Sequence, residues 1–339
     1  MGVRSVSPQA AATAPVGAPA KKRVQAGAAT GWRAWYELTK PKIVQMMLVT
    51  CLSGMVVAEG GLPPVFTMLW TCLGLGLSIG GASALNHVLD RDLDRRMART
   101  SMRPVACGTI SAEAATAFGV TLFALGGWIL CMAVNPLTAW TALAGGAFYV
   151  AIYTPLKRVT SHNTVLGGVA GAMPPVVGWV AVTNDLSSPL AWTLFAIMFL
   201  WQPAHFWPLS LLIREDYAKA GFKMLPVTHG ERVTVQATWR WTWLSVVATF
   251  VPVATGDAGW IYLVGAIGAN AYLARRMWAL VAADRARGEF GEGGEAAAPA
   301  LIAGNIPGRL AARNAFLGSL VWLGILFVAL MVDALALSA

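Results

Sequence analysis

Charge is what this chain has least of. Lys, Arg, Asp and Glu together make up 12% of its 339 residues, while 57% are hydrophobic. Soluble domains carry roughly 25% charged residues. Too few are present here to coat a water-facing surface, so the chain is read as an integral membrane protein. The net charge of +9 does not mark a nucleic-acid binder, because the basic residues are distributed over the connections between apolar runs. Cysteine is scarce as well. Cys51, Cys72, Cys107 and Cys131 form no C-x-x-C pair. That argues against a disulfide framework or a thiolate metal site, and no c-type haem attachment sequence is present. Residues 1–30 contain no acid and no apolar core long enough for a signal peptide. They are Ala/Gly/Pro-rich and basic, and read as a disordered tail over 1–35 ahead of a membrane domain over 36–339. A mitochondrial presequence shares the acid-poor bias, but only Arg4 and Arg23 supply arginine.

What is abundant is long uncharged runs. Nine can be marked, at about 43–58, 65–89, 114–134, 137–153, 164–183, 189–213, 241–255, 258–274 and 315–337. A perpendicular helical crossing needs roughly 20 apolar residues, so 241–255 is short, and Arg240 can snorkel to extend it. The connections after runs one, three, five and seven are brief: Glu59 to Pro64, Asn135-Pro136, Asn184 to Ser188 and Gly256-Asp257. None contains Lys or Arg, nor does the C-terminal end. All 25 basic residues lie in the N-terminal stretch and the other four connections. By the positive-inside rule those face the cytoplasm or matrix. An all-α fold of nine transmembrane helices is predicted, N-terminus inside and C-terminus outside. A Gly/Ala/Glu-rich stretch, 286–308, reads as a flexible inner loop before the last helix.

The second run ends in the most charged stretch of the chain, Asn86 to Pro104. Asn86, Asp90 and Asp94 are four apart, so on a helix they form one stripe that drifts by about 40° and rises about 6 Å per step. One ion cannot reach all three. A cluster of metal ions bridged by a polyanion can, and Mg²⁺, which takes oxygen ligands and is usually completed by substrate phosphates, suits them. Asp92 points the other way, into solvent. Charges at a helix end are commonly anchors, and Arg91, Arg95, Arg96 and Arg99 suit that role. Anchoring does not require three carboxylates within five residues.

Asn86-x-x-x-Asp90-x-x-x-Asp94, followed by Arg99-Thr100 and Arg103-Pro104, resembles the first aspartate-rich motif of the UbiA-type intramembrane prenyltransferases. In that family the motif binds Mg²⁺ and an isoprenyl diphosphate. Tyr153 and Lys157 fit the family's Y-x-x-x-K element. Physically, Lys157 can neutralise diphosphate charge and Tyr153 can donate to a phosphate oxygen, although an interfacial Tyr beside an inner lysine is also ordinary anchoring. The family's second acidic motif falls after the sixth run, at Arg214-Glu215-Asp216-Tyr217. Ala220 stands where many members have a final acid, so a symmetric two-motif metal site does not follow. Asp216 is the better ligand candidate and Glu215 the reserve.

Four further elements resemble the haem-farnesylating branch of the family: Thr39-Lys40-Pro41-Lys42, Leu156-Lys157-Arg158-x-Thr160, His205-Phe206-Trp207 and Met224-Leu225-Pro226-Val227. The resemblance implies a cavity within the helices, farnesyl diphosphate as donor, haem b as acceptor and haem O as product. It implies Mg²⁺ held by Asn86, Asp90, Asp94 and Asp216, and a diphosphate clamped by Arg99, Arg103, Lys157 and Lys40. Membrane lipid surrounds such a protein, and a haem A-forming enzyme would follow it. The bacterial inner membrane is the expected location, the mitochondrial inner membrane the alternative. His205, an ionisable group inside a run, suggests function by default. It could ligate haem iron, bond a propionate or tie two helices. Among the fifteen tryptophans, Trp201 or Trp207 could face an allylic cation. Gly171 to Trp179, with Pro174 and Pro175, could kink a span beside a cavity or pack helices closely. Within the enzymes, a quinone precursor or chlorin is the alternative acceptor. A membrane carrier is the alternative class, and the lack of acids deep inside the runs counts against it.

Overall fold

The structure, a computed structural model, describes residues 29–289 and 306–337. All regular elements among them are helices. Short α1 (Trp32–Leu38) leads to α2 (Pro41–Glu59) and α3 (Val65–Leu89). Two single turns follow, α4 (Arg91–Asp94) and α5 (Pro104–Cys107), then α6 (Ala112–Ala133) and α7 (Pro136–Ala147). A π-helical turn, Phe148–Tyr153, joins α7 to α8 (Thr154–Val159). Next come α9 (Asn163–Thr183), α10 (Pro189–Leu212), and short α11 (Arg214–Ala220) and α12 (Leu225–Thr228). The chain closes with α13 (Gly230–Ala248), α14 (Val251–Ala254), α15 (Trp260–Glu289) and α16 (Ile306–Leu337).

Each of the nine apolar runs is helical, but they are not equal as membrane spans. Six segments among the described residues are long and apolar enough alone: α2, α3, α6, Pro136–Val159, α9, and α16 from Pro307. The pair α10 and α11, bent by 83° at Ile213, makes a seventh. The predicted seventh and eighth spans are α13 with α14, and α15. Both helices run on into basic sequence, α13 from Gly230 and α15 to Glu289, which dilutes their apolarity. The protein is multi-pass, with six or seven crossings by length and composition. The predicted tail over 1–35 and loop over 286–308 fall mostly on 1–28 and 290–305, outside the described residues. At their edges Trp32–Leu38 is helical, α15 continues to Glu289 and α16 begins at Ile306.

Apolar sequence alone cannot hold helices together in lipid, so close backbone approach must contribute. α3 runs along α6, α2 along α9 and α15 along α16, while α10 packs against α9, α13 and α16. Gly74 and Gly81 of α3 face Gly126 and Gly119 of α6 so closely that a methyl on any of them would collide with the partner helix. Gly54 of α2 abuts the Pro175 carbonyl, and Gly178 of α9 abuts that of Cys51. α9 continues as one helix through Pro174 and Pro175; Pro174 and Val177 line a cavity, while Pro175 and Gly178 face α2. Asp333 of α16, buried, accepts from Gly259 N (2.6 Å) and Tyr262 N (3.1 Å) and so caps α15.

Candidate active site

The site begins where the chain cannot stay helical. Pro41 disfavours a right-handed helical residue before it, and Lys40 takes the left-handed conformation, φ 51°. That ends α1 and turns the Lys40 side chain across to the end of α3. Its Nζ donates to Asn86 Oδ1 at 2.6 Å and to Tyr149 OH at 3.0 Å. Lys40 lies just outside the span that starts at Pro41. Burial pushes its pKa down to about 7, helped by the Arg103 guanidinium and opposed by Asp90 and Asp94. An anion arriving beside it would raise that value again.

α3 stops at Leu89, and Asp90 is its cap. Bonds of helical spacing nevertheless continue through the break, from Asp90 N to Asn86 O (2.9 Å) and from Asp94 N to Asp90 O (2.8 Å). The predicted stripe therefore survives across two elements. Asn86, Asp90 and Asp94 are all 1–2% exposed. Asn86 Nδ2 donates to Asp90 Oδ2 (2.9 Å) and Thr154 Oγ1 (3.0 Å). Lys157 pairs with Asp90, and Arg103 NH1 donates to both oxygens of Asp94, at 3.0 and 2.9 Å. Asp92 is 65% exposed at its side chain and meets only Arg91 and Arg95, as expected of a solvated acid.

The connections after α3, π turn–α8 and α10 meet here. Pro155 cannot donate to a carbonyl one turn back, and its ring crowds that carbonyl. The chain widens into the π turn, where Thr154 Oγ1 bonds Tyr149 O at 2.9 Å. Tyr149 and Tyr153 stack with centroids 5.5 Å apart, and Lys157 Nζ lies 5.1 Å from the Tyr153 ring centroid. Lys223 N donates to Lys157 O (3.0 Å), and Asn163 Nδ2 to Lys223 O (3.0 Å). Arg99 NH2 donates to Tyr217 OH at 3.1 Å. Beneath them Met97, Tyr217, Ala220, Phe222 and Met224 form one buried apolar cluster. It docks the loop after α10 against the loop after α3.

Behind this polar end lies a cavity of about 600 Å³, within the range of small-molecule sites. Lys40, Tyr149 and Tyr153 line one part of it, and Trp201, His205 and Phe316 another, with aliphatic side chains and small residues between. Trp207, the other predicted cation-facing ring, is buried edge-on against Trp241 and is not part of the lining.

Eight of the ten predicted site residues therefore join one another or the cavity. Side chains link Lys40, Asn86, Asp90 and Lys157, with Tyr153 beside them, and Arg103 holds Asp94 next to this set. His205 lines the cavity. Arg99 reaches instead to Tyr217 of α11, and Asp216 stands apart. It is half-buried in the first turn of α11, and its carboxylate meets no partner among the described residues. Sequence reasoning missed Tyr149, Thr154 and Tyr217. Tyr149 lies four residues before Tyr153, on the same face of a regular helix, which was the available signal. Tyr217 stands in the second acidic motif, but only the docked loops bring it to Arg99.

The donors fit a hard cation. Asp90 Oδ1 is buried without a hydrogen-bond partner, and Asn86 Oδ1 and the Asp94 carboxylate, which accept from Lys40 and Arg103 here, are oxygens of the kind Mg²⁺ takes. Among the described residues no three His, Cys, Asp or Glu side chains converge on one metal position. Water and substrate phosphate would have to complete the shell.

Residues 47–290 match the UbiA prenyltransferase family. The chain belongs to the UbiA prenyltransferase family. This UbiA-family enzyme is 46% identical over 259 residues to the protoheme IX farnesyltransferase of Teredinibacter turnerae, covering 76% of the chain and 83% of that protein. It is 38% identical over 314 residues to the protoheme IX farnesyltransferase of Hahella chejuensis, covering 92% and 97%. A solved structure concerned with digeranylgeranylglyceryl phosphate synthase matches its fold with a TM-score of 0.68 at 16% identity, over 90% of this chain and 99% of that one. A UbiA homolog from Archaeoglobus fulgidus bound to DMAPP and Mg²⁺ matches with a TM-score of 0.56 at 15% identity, over 86% and 98%. The predicted all-α, UbiA-like fold is borne out.

Proposed function

We propose that this UbiA-family enzyme transfers the farnesyl group of farnesyl diphosphate to a vinyl group of haem b, with addition of water, to give haem O. The observation that carries it is an apolar cavity that contains His205 and is lined also by Lys40, whose Nζ donates to Asn86 beside the buried Asp90. The names of its relatives give the acceptor its chemical identity. Asn86, Asp90 and Asp94 would hold Mg²⁺, with Asp216 able to join them from α11. Bound there, the metal would supply Lewis-acid stabilisation of the departing diphosphate.

The chain's own groups do the rest. Without an anion, Lys157 and Arg103 rest on Asp90 and Asp94. With diphosphate present they turn to its oxygens together with Arg99 and Lys40, as charge-assisted donors. Tyr153 donates at the same end. The allylic C–O bond breaks with both electrons leaving on the diphosphate oxygen. The cation forms in the water-poor cavity, where the Tyr153 and Trp201 rings can face it. The vinyl π pair of haem b closes the new C–C bond, the resulting benzylic-type cation takes a water oxygen, and that water's proton is released. The basic end opens to the cytoplasm, where the soluble donor and Mg²⁺ are found. The location that goes with this reading is a bacterial inner membrane, with the N-terminus inside.

The test is incubation of purified enzyme with Mg²⁺, farnesyl diphosphate and haem b, with haems analysed by mass spectrometry. Haem O is the expected product. Prenylation of a 4-hydroxybenzoate-type acceptor with haem b left untouched would overturn the acceptor and leave the family intact.

A further inference from the structure

The diphosphate chemistry leaves His205 without a task, yet its ring is held on both faces and at one edge. It sits on α10 about 10 Å from that helix's inner end, by a rise of 1.5 Å per residue. Trp201 stacks on its ring with centroids 4.4 Å apart and planes 20° from parallel, and Phe316 with 4.7 Å and 28°. Two rings stacked on one imidazole at these distances occupy opposite faces. In the ring plane, Nδ1 lies 2.7 Å from Ser319 Oγ. The Ser319 hydroxyl has one proton, which it donates to Phe316 O at 2.7 Å. With that proton on Phe316 O the hydroxyl accepts from His205, and this arrangement corresponds to the tautomer with the imidazole proton on Nδ1. Nε2 is left as a bare lone pair. It has no hydrogen-bond partner among the described residues, is not closed off from the cavity, and belongs to a residue that lines it.

A histidine that only tied α10 to α16 would need no open second nitrogen. That tie is in any case made by Trp201 Nε1, which donates to Ser319 O at 3.0 Å. One nitrogen donating to a fixed acceptor, with the other basic and free, is the arrangement of a metal-ligating histidine. The N–H contact sets the tautomer, orients the ring and raises the basicity of the ligating nitrogen. Resting on the acceptor proposed above, we infer that His205 Nε2 is an axial ligand to the iron of haem b. The Trp201 and Phe316 rings, with Ser319, hold the imidazole ready for it. Ligation would fix the porphyrin in the cavity, so that a vinyl group meets the farnesyl cation and not bulk water.

The test uses the full chain in lipid nanodiscs loaded with haem b, reduced and exposed to nitric oxide. Electron paramagnetic resonance then reads whether a second nitrogen couples to the iron. Wild type is expected to show that coupling, His205→Gly to lose it, and added imidazole to restore it. Ser319→Ala keeps the ligand but frees Nδ1. It should retain the coupling while haem affinity falls about 10- to 100-fold, a pattern that damage to packing alone would not give. Coupling that persists in His205→Gly without imidazole would overturn the ligand. So would a wild type that converts haem b without showing it, and in both cases the acceptor would stand. A wild type that takes up no haem b would bring down the acceptor, and the ligand with it.

Discussion

Asp90 and Asp92 are two residues apart and live in opposite electrostatic surroundings. Asp90 is buried, paired with Lys157, and has one oxygen that nothing in the protein satisfies. Asp92 is in water between two arginines, where an ion pair contributes about 0–1 kcal/mol. Asp90→Asn preserves size and removes the charge, so it should lower turnover about 10²- to 10³-fold, the usual cost of losing a charge-stabilising group at a reacting centre. Asp92→Asn should be nearly silent. Haem uptake should survive both, because His205 and the cavity lining are untouched. Haem O formation by the two variants across a Mg²⁺ titration checks this. Equal rates would sink the division of roles, and full activity of Asp90→Asn without Mg²⁺ would sink the proposed metal site.

At the scale of elements, the site is assembled from places where helices fail: the left-handed Lys40, the cap at Asp90, the π turn ahead of Pro155, and the bend at Ile213. The helices themselves are held by contacts that leave no room for side chains. Gly178 lies against the Cys51 carbonyl of α2, whereas Gly324 of α16 has no heavy atom near enough for a methyl to touch. Gly178→Ala should destabilise the fold by about 1–3 kcal/mol, the common cost of overpacking. It should also disturb α2, which carries Lys40 at its start. Gly324→Ala should be neutral or slightly stabilising, since alanine is the better helix former. Thermal unfolding in detergent of the two variants would show it. An unchanged midpoint for Gly178→Ala would mean that the approach of α2 to α9 is looser than it stands here.

For the whole molecule, the distribution of charge predicts sidedness. The inner connections hold the basic residues and the proposed diphosphate site, and the outer ones hold none. A reporter fused after Ala339 should be extracytoplasmic, and one inserted between Glu289 and Ile306 cytoplasmic. If both report one side, α16 does not cross the membrane. If the two sides are exchanged while the N-terminus is cytoplasmic, the number of crossings before α16 is odd where an even number is proposed, and α13 and α15, too polar to qualify as spans alone, are the first suspects.

Each level of this protein was legible in the sequence to the extent that its cause is local. Burial in lipid demands uncharged runs of a set length, and translocation demands basic residues on one side. The helices and their proposed sidedness therefore stand in the composition of each segment. The Asn86, Asp90 and Asp94 stripe was legible because helical spacing needs only neighbouring residues, and it outlasted the end of α3 because the bonds of that spacing continue. Tertiary structure alone decided which loops meet. Lys157 and Asp90, Arg99 and Tyr217, and Lys223 and Lys157 are far apart in the chain. They are joined by an apolar cluster and a few backbone bonds whose partners no local pattern announces. The same holds for His205. Its place inside an apolar run marked it for attention, but only the tertiary structure brings Ser319, on another helix, beside its Nδ1.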